Sequence, residues 1–272
     1  MFLRYVIRFA TVIFTTGLLS ACGSDSVMSE PAQETPPPTI TETNTASNLA
    51  IPDNRDVQHY QVLLFGNSHV SAQASLITKL ILAGNSNVQV TAVNAAGGYL
   101  DNPVSQQRRL DILASKSWSH IILQAQKYSQ SGTVSYPTIA ARTWIATAKE
   151  SAITPILFPE HPQKGRPDEG RQVHSLHQSI AAVQKACVAP VGLAWNKTLM
   201  TVPSFKLHST DGNHASLMGN LLTALVFYEV ITGQSADLLP YIADIAVEES
   251  TQQLLGQIAS ETIQANQACE FD

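Results

Sequence analysis

Short apolar runs that alternate with stretches of helical periodicity place the strongest constraint on how this chain folds. Each run is continuous and rich in Val, Ile and Leu, which is typical of strands that are covered on both faces. Because helical stretches separate the runs, the order predicts an α/β fold with a doubly wound, mainly parallel five-stranded sheet between two helical layers. The predicted strands are residues 61–65, 88–93, 120–123, 154–158 and 190–194. The predicted helices lie near residues 70–83, 103–115, 138–151, 171–187, 214–231 and 247–267.

The first predicted strand ends at a serine on a sharp turn. Its apolar residues 62–65 are followed at once by Gly66-Asn67-Ser68-His69. Open α/β sheets bind ligands at the carboxyl edge of their strands, and the N–H groups of a helix N-terminus favour negative charge there. Ser68 is therefore a candidate nucleophile, provided that a base lies within reach.

Two further strand ends carry residues that suit a ligand site. Paired glycines, Gly97 and Gly98, follow the second strand and would let the backbone approach a ligand closely. Gln124 and Gln126 follow the third strand, and strand alternation puts both amides on one face. A tight loop and amides that cap backbone groups would give the same sequence patterns, so neither motif is decisive alone.

Asp211 and His214 supply a base for the serine. They are three residues apart and directly precede a long apolar stretch. In such a turn the carboxylate can bond one imidazole nitrogen while the other nitrogen faces outward, which fixes the tautomer and stabilises the imidazolium. A helix cap with an exposed histidine is the alternative interpretation. The combination of Ser68, two strand-end loops and this pair favours nucleophilic catalysis.

The N-terminal region has the layout of an export signal. Arg4 and Arg8 precede a short apolar stretch, and Leu19-Ser20-Ala21-Cys22 resembles a bacterial lipobox. We expect residues 1–21 to be a lipoprotein signal peptide and Cys22 to be lipidated. Residues 22–56 are rich in Ser, Thr, Pro and Asn and predict a disordered linker. Residues 57–272 would form the folded domain, held at a membrane by the lipid anchor.

Charge, cysteine content and the positions of the histidines limit the partners and cross-links that the sequence predicts. The formal net charge is −5 with no basic cluster, which argues against nucleic acid. If Cys22 carries lipid, Cys187 and Cys269 remain, and a disulfide between them is left open by their spacing. Glu160, His161, His174 and His177 are interpreted as solvated polar residues, and no metal site is predicted.

The motifs together resemble the SGNH (GDSL-type) hydrolase superfamily, whose fold is a flavodoxin-like sandwich. The similarity covers most of residues 60–233. Gly66-Asn67-Ser68 matches the early Gly-Asp-Ser segment that holds the nucleophile, with Asn67 in place of the usual aspartate. Asp211 and His214 match the late Asp-x-x-His segment, which implies that they are orienter and base. A glycine of the second block, placed at Gly98, is implied to donate its N–H to the oxyanion.

The third block of the superfamily departs from its usual pattern here. Gln124-Ala125-Gln126 stands where Gly-x-Asn-Asp is expected. The resemblance implies that a glutamine amide, from either Gln124 or Gln126, joins the N–H groups of Ser68 and Gly98 in the oxyanion hole.

The resemblance implies a serine esterase that acts without a metal or cofactor, and the signal-like N-terminal segment adds the expectation that it is exported. The expected substrate is a small-molecule or carbohydrate ester, such as an O-acetyl group on envelope or environmental carbohydrate. Lipase or lysophospholipase activity on the same fold is one alternative. A catalytically silent, surface-binding lipoprotein is another, favoured by the altered third block and opposed by the intact Ser, His and Asp set.

Overall fold

The computed structural model describes residues 48–95 and 97–271, and these form one parallel sheet with helices on both faces. The strands are β1 His59–Phe65, β2 Gln89–Asn94, β3 His120–Leu123, β4 Thr154–Leu157 and β5 Cys187–Val188. All neighbouring strands pair in parallel, in the order β2-β1-β3-β4-β5. This is the flavodoxin-like order. The predicted signal peptide, Cys22 and most of the predicted linker lie outside the described residues.

The sheet lies between two apolar cores. The side chains of β1 alternate between the two faces of the sheet and so enter both cores. The helices are α1 Gln73–Gly84, α2 Pro103–Ala114, α3 Ile139–Glu150, α4 Pro167–Val183, α5 Val191–Thr201, α6 Leu217–Thr232 and α7 Glu249–Ala265. Val62 and Leu64 belong to one core, which the helices α1, α5, α6 and α7 cover. Leu63 and Phe65 belong to the other, covered by α2, α3 and α4. The predicted three-layer α/β fold is confirmed.

The fifth strand differs from the prediction. β5 consists of two residues, Cys187–Val188, and the apolar run predicted as a strand at 190–194 instead begins helix α5. Val191, Ala194 and Trp195 recur at helical spacing and are all buried. A short apolar run cannot be assigned to strand or helix from periodicity alone, which is why the sequence pattern was misleading here.

The folded domain begins earlier than residue 57, the start predicted from the sequence. Ile51 is buried in the core. The Asn54 amide donates to the carbonyls of Ser119 and Ala152 and to the Thr154 hydroxyl, all within 3.0 Å. Residues 48–56 are therefore not linker. The polar composition of this segment concealed it, since its contacts are mostly hydrogen bonds to the domain.

No helix among the described residues has the length and apolarity needed to span a bilayer.

A disulfide joins Cys187 of β5 to Cys269, across a sequence separation of 82 residues. Its Cα atoms are 4.3 Å apart, and the neighbouring Val188 N–H donates to the Ala268 carbonyl at 2.7 Å. The bond closes a long loop of the unfolded chain, so we expect its reduction to lower the free energy of unfolding by about 2–4 kcal/mol. Urea denaturation with and without reductant measures this. Equal midpoints, with thiol titration showing both cysteines free, would contradict the expectation.

Three of the buried histidines make the fold especially sensitive to acid. Burial lowers the pKa of His120 and His161 to about 3 and that of His177 to about 4. The unfolded chain binds protons on these groups below about pH 6.5, whereas the folded chain does not. Stability from this source is therefore fully present above about pH 6.5 and lost as the pH falls towards 4, by up to about 1.4 kcal/mol per pH unit for each histidine.

The urea midpoint of unfolding, measured from pH 7.5 to pH 5, checks this expectation. It should fall steadily below pH 6.5, and His177→Phe should flatten the dependence because one proton-binding group is removed. A midpoint that does not change over this range would show that the histidines are not excluded from water as the fold implies.

Candidate active site

Ser68 lies exposed at the apex of a tight turn after β1. Gly66 is buried beneath it. A Cβ at this position would collide with the side-chain oxygen of Gln124, so only glycine fits here without displacing Gln124. The Asn67 side chain accepts a hydrogen bond from the His69 N–H at 3.0 Å and caps a short 3₁₀ turn at Ser68–Val70. The aspartate that usually occupies the Asn67 position is not needed for this cap, because an amide oxygen accepts equally well.

His214 connects Ser68 to Asp211. The Ser68 Oγ lies 2.8 Å from His214 Nε2, and His214 Nδ1 lies 2.6 Å from Asp211 Oδ2. When Nδ1 carries the ring proton and donates a hydrogen bond to the carboxylate, Nε2 is unprotonated and can accept the hydroxyl proton of Ser68. The structure therefore brings together the three residues predicted from the sequence, in a geometry that permits proton transfer.

Asp211 and His214 lie on a hairpin turn rather than at a helix start. An antiparallel bridge joins His208 to Ala215, and the Ser209 N–H donates to the His214 carbonyl at 2.8 Å. Helix α6, predicted to begin at His214, begins at Leu217. The turn thus holds the carboxylate and the imidazole on one short, internally bonded loop.

Four donors converge on the Asp211 carboxylate and favour its charged form. Oδ1 accepts hydrogen bonds from the Ser209 hydroxyl and from the N–H groups of Asn213 and His214, while Oδ2 accepts from the His214 ring. These bonds, with the Ser209 hydroxyl as the largest contributor, hold the pKa of Asp211 well below its ordinary value. A permanently ionised Asp211 can stabilise an imidazolium at His214.

The glycine loop after β2 is placed beside the nucleophile turn, but its amides are engaged there. The N–H groups of Gly97 and Gly98 both donate to the Gly66 carbonyl, at 3.0 Å each. Gly98 adopts a positive φ of 79°, and the buried guanidinium of Arg109, which the sequence did not indicate, donates to the carbonyls of Gly98 and Tyr99. The sequence predicts that the Gly98 N–H is an oxyanion donor, but in this structure that N–H already donates to the Gly66 carbonyl.

Neither glutamine presents a free amide to Ser68, contrary to the prediction from the third block. Gln124 is fully buried; its Oε1 accepts from the Asn67 N–H at 2.8 Å and its Nε2 donates to Glu160 at 2.6 Å. The Gln126 Nε2 donates to two backbone carbonyls of the following loop, at 2.9 and 3.1 Å. Of the predicted oxyanion donors, only the Ser68 N–H takes no part in the hydrogen bonds found across residues 48–95 and 97–271.

The loop that follows β4 (residues 158–166, called the β4–α4 loop) contributes buried residues to the site, although the sequence pattern predicts solvated ones. Its His161, interpreted as solvated, is buried, as are His174 and His177 of α4. Its Glu160 bonds Gln124 and lines the space beside Ser68. The position of this loop at the carboxyl edge of the sheet was the available signal, since ligand-site residues gather at that edge.

A cleft of about 1020 Å³ opens beside Ser68 and His214. Val134 is the one aliphatic side chain larger than alanine among its described lining residues, and the rest of the lining is dominated by polar groups and tyrosines. A separate cleft of about 800 Å³ is lined by none of the predicted catalytic or oxyanion residues among its described lining. The lining of the larger cleft includes Tyr99, Tyr128, Tyr136, Gln126, Gln130 and Arg166.

Comparison with known proteins gives structural matches only. No family model matches the sequence, and the curated proteins yield no match. A DUF4886 family protein from Bacteroides uniformis is 14% identical, with a TM-score of 0.61 over 78% of this chain and 98% of that one. A proposed SGNH hydrolase from Slackia heliotrinireducens is 21% identical, with a TM-score of 0.50 over 63% of this chain and 98% of that one.

The acetylxylan esterase Axe2 from Geobacillus stearothermophilus is also similar in structure. It is 15% identical, with a TM-score of 0.51 over 63% of this chain and 94% of that one. These likenesses span nearly the whole length of the solved structures, and they agree with the order and parallel pairing of the five strands. The chain has the α/β fold of the SGNH hydrolase superfamily.

Proposed function

We propose that this protein is a serine esterase in which Ser68 is the nucleophile, His214 the base and Asp211 its orienter. The observation that carries the proposal is the continuous chain of short hydrogen bonds from the Ser68 Oγ through the His214 ring to Asp211. An exposed serine bonded to an oriented imidazole is the arrangement that nucleophilic catalysis requires. A silent binding protein would have no need of this arrangement.

The reaction would proceed through an acyl-enzyme. The Ser68 Oγ bonds to the ester carbonyl carbon as its proton passes to His214 Nε2, and the carbonyl electron pair moves to the oxygen. Collapse of this intermediate breaks the ester C–O bond, and the departing alcohol takes the proton from Nε2. Water, deprotonated by His214, then attacks the acyl carbon and releases the acid and Ser68. The Ser68 N–H supports the proposal as an oxyanion donor.

The lining of the cleft favours a short acyl group on a polar alcohol such as a carbohydrate. Tyrosines and amides can stack on and hydrogen-bond a sugar, whereas Val134 alone offers little surface for a long acyl chain. The structural likeness to an acetylxylan esterase supports the same substrate class by analogy of fold. We therefore propose O-acetylated carbohydrate ahead of membrane lipid as the substrate.

Ester turnover by the purified protein tests this proposal. We expect hydrolysis of p-nitrophenyl acetate, release of acetate from acetylated xylo-oligosaccharide, and little hydrolysis of p-nitrophenyl palmitate. A fluorophosphonate probe should label Ser68, as identified by peptide mass spectrometry. A label on another residue, or no turnover of any ester, would refute the esterase. Preference for the palmitate would instead favour a lipase.

We also propose that the protein is exported and anchored through a lipid on Cys22. The lipobox-like segment supports this, and the Cys187–Cys269 disulfide is of a kind that persists mainly outside the reducing cytoplasm. Cys22→Ala is expected to shift the protein from the membrane fraction to the soluble fraction, whereas Ser24→Ala should leave it attached. Immunoblotting of the two fractions measures the change. Continued membrane attachment of Cys22→Ala would contradict lipidation at this position.

A further inference from the structure

Two consecutive residues of the β4–α4 loop reach the two sides of the Ser68–His214 pair. On the nucleophile side, the Glu160 carboxylate accepts a hydrogen bond from Gln124 Nε2 at 2.6 Å. Gln124 Oε1 in turn accepts from the N–H of Asn67 at 2.8 Å. Glu160 is thus connected, through one buried amide, to the residue directly before Ser68.

On the base side, His161 makes an equivalent connection. Its Nε2–H donates to the carbonyl of Asn213 at 2.9 Å, directly before His214. The His161 ring is 4% exposed and stacks on Trp195, with the ring centroids 3.8 Å apart and the planes 8° apart. Trp195 is itself buried and donates to the Thr223 hydroxyl of α6, so the ring that supports His161 is fixed in the core.

We propose that Glu160 and His161 are positioning residues that together set the distance between the Ser68 hydroxyl and the His214 ring. Each holds the backbone of the residue that precedes one reacting side chain, and a single peptide bond joins them. Movement of either turn relative to the other is thereby opposed by the same short segment. The inference rests on the proposed esterase function and assigns a purpose to the altered third block: Gln124 braces the nucleophile turn instead of donating to the oxyanion.

Other bonds attach the same loop to the turn that carries His214. The Lys164 N–H donates to the Gly212 carbonyl at 2.8 Å, and the Gln163 amide donates to the Asn213 side chain at 3.0 Å. His208 Nε2 donates to the Pro162 carbonyl at 2.8 Å. These contacts fix the outer part of the turn, whereas the contact from His161 reaches the residue adjacent to the base from the buried side.

His69 occupies the space between the two halves. Its ring stacks on His214 at 5.3 Å, and its Nε2 lies 4.0 Å from the Glu160 carboxylate. A direct electrostatic effect of the Glu160 charge on these rings is therefore the competing explanation for any effect of Glu160. Glu160→Gln distinguishes the two explanations, because the amide oxygen can still accept from Gln124 while the charge is lost.

Steady-state kinetics of the full-length protein with p-nitrophenyl acetate test the proposal. His161→Phe keeps an aromatic ring against Trp195 but removes the donor, and we expect kcat to fall about 10- to 100-fold with KM changed less than about threefold, since small misplacements of reacting groups cost about this much. Glu160→Leu should have a similar effect, and Glu160→Gln should restore kcat to within about threefold of wild type. His177→Phe, which removes a comparably buried histidine outside the cleft, is the matched control and should keep the wild-type kcat.

A second readout does not depend on turnover. The proton that His214 Nδ1 shares with Asp211 should give a low-field ¹H NMR signal, and we expect it to broaden or vanish in His161→Phe. Glu160 is 18% exposed in its side chain, so Glu160→Leu provides the kinetic test if His161→Phe does not fold. Circular dichroism establishes folding for each variant.

The outcomes separate the two proposals. If wild-type turnover depends on Ser68 but folded His161→Phe and Glu160→Leu keep the wild-type kcat, the positioning role is wrong and the esterase stands. If Glu160→Gln is as impaired as Glu160→Leu, charge rather than positioning explains Glu160, and the paired role is overturned. If wild type hydrolyses no ester, the proposed function fails, and an unchanged NMR signal in His161→Phe would then refute the positioning role separately.

Discussion

Replacement of Ser68 by alanine is expected to lower kcat for ester hydrolysis by about 10⁴- to 10⁶-fold, the largest effect of any single change in this chain. The Oγ is the atom that would form the acyl bond, and no other hydroxyl is hydrogen-bonded to His214 Nε2 among the described residues. KM should change little, because the Cβ and the backbone of the turn remain in place.

The measurement is initial-rate hydrolysis of p-nitrophenyl acetate by both proteins, with fluorophosphonate labelling as a second readout. Ser71→Ala is the matched control, because Ser71 is exposed three residues further along and contributes only its backbone N–H to the turn, through a bond to the Ser68 carbonyl. It should retain the wild-type rate. Turnover by Ser68→Ala within tenfold of wild type would show that another group performs the chemistry.

The parts of the site that could be predicted are those defined by local sequence. Ser68 follows an apolar strand directly, and strand ends of a parallel sheet meet at one edge, so its location follows from the fold. Asp211 and His214 are close in sequence and bond to each other within one turn. Ser68 and His214 are 146 residues apart in sequence, and their contact can be inferred only from the combination of motifs.

The roles of the buried polar side chains could not be predicted, because their partners are distant in sequence. Alternation placed Gln124 and Gln126 on one face but gave no information on which acceptor each amide would meet. Gln124 bonds Glu160, 36 residues away, and His161 bonds the Asn213 carbonyl, 52 residues away. A polar residue next to prolines and charges in a loop resembles a solvated one in sequence. Only the return of the β4–α4 loop over the sheet edge buries these groups, and a buried polar group requires a partner.

These corrections change which groups would support the proposed reaction. The resemblance of the sequence motifs implies that the third block serves the oxyanion, yet here Gln124 bonds the turn beneath Ser68 and Glu160 bonds Gln124. Rate enhancement would then depend on the precision with which two turns are held together and on the Ser68 N–H, rather than on a side-chain oxyanion donor. The chain of bonds through His214 is consequently the feature that substitution should disturb most, after the nucleophile itself.

Asp211→Asn is expected to lower kcat about 10⁴-fold, because it would reverse the tautomer of His214. Three donors converge on Oδ1: the Ser209 hydroxyl and the N–H groups of Asn213 and His214. An asparagine would place its carbonyl oxygen at that position and its NH₂ at the position of Oδ2, facing His214 Nδ1. Nδ1 would then have to accept, the ring proton would move to Nε2, and Nε2 could no longer take the proton from Ser68.

The prediction is specific because the turn itself should survive the change, since all three bonds to Oδ1 are retained. Initial-rate kinetics, together with loss of the low-field His214 proton signal, measure the effect. Asp168→Asn is the matched control: Asp168 is an exposed residue of α4 that pairs with Arg171, and its replacement should leave kcat unchanged. A folded Asp211→Asn protein with kcat within tenfold of wild type would mean that the carboxylate does not set the tautomer, and the mechanism would then have to operate with Ser68 and His214 alone.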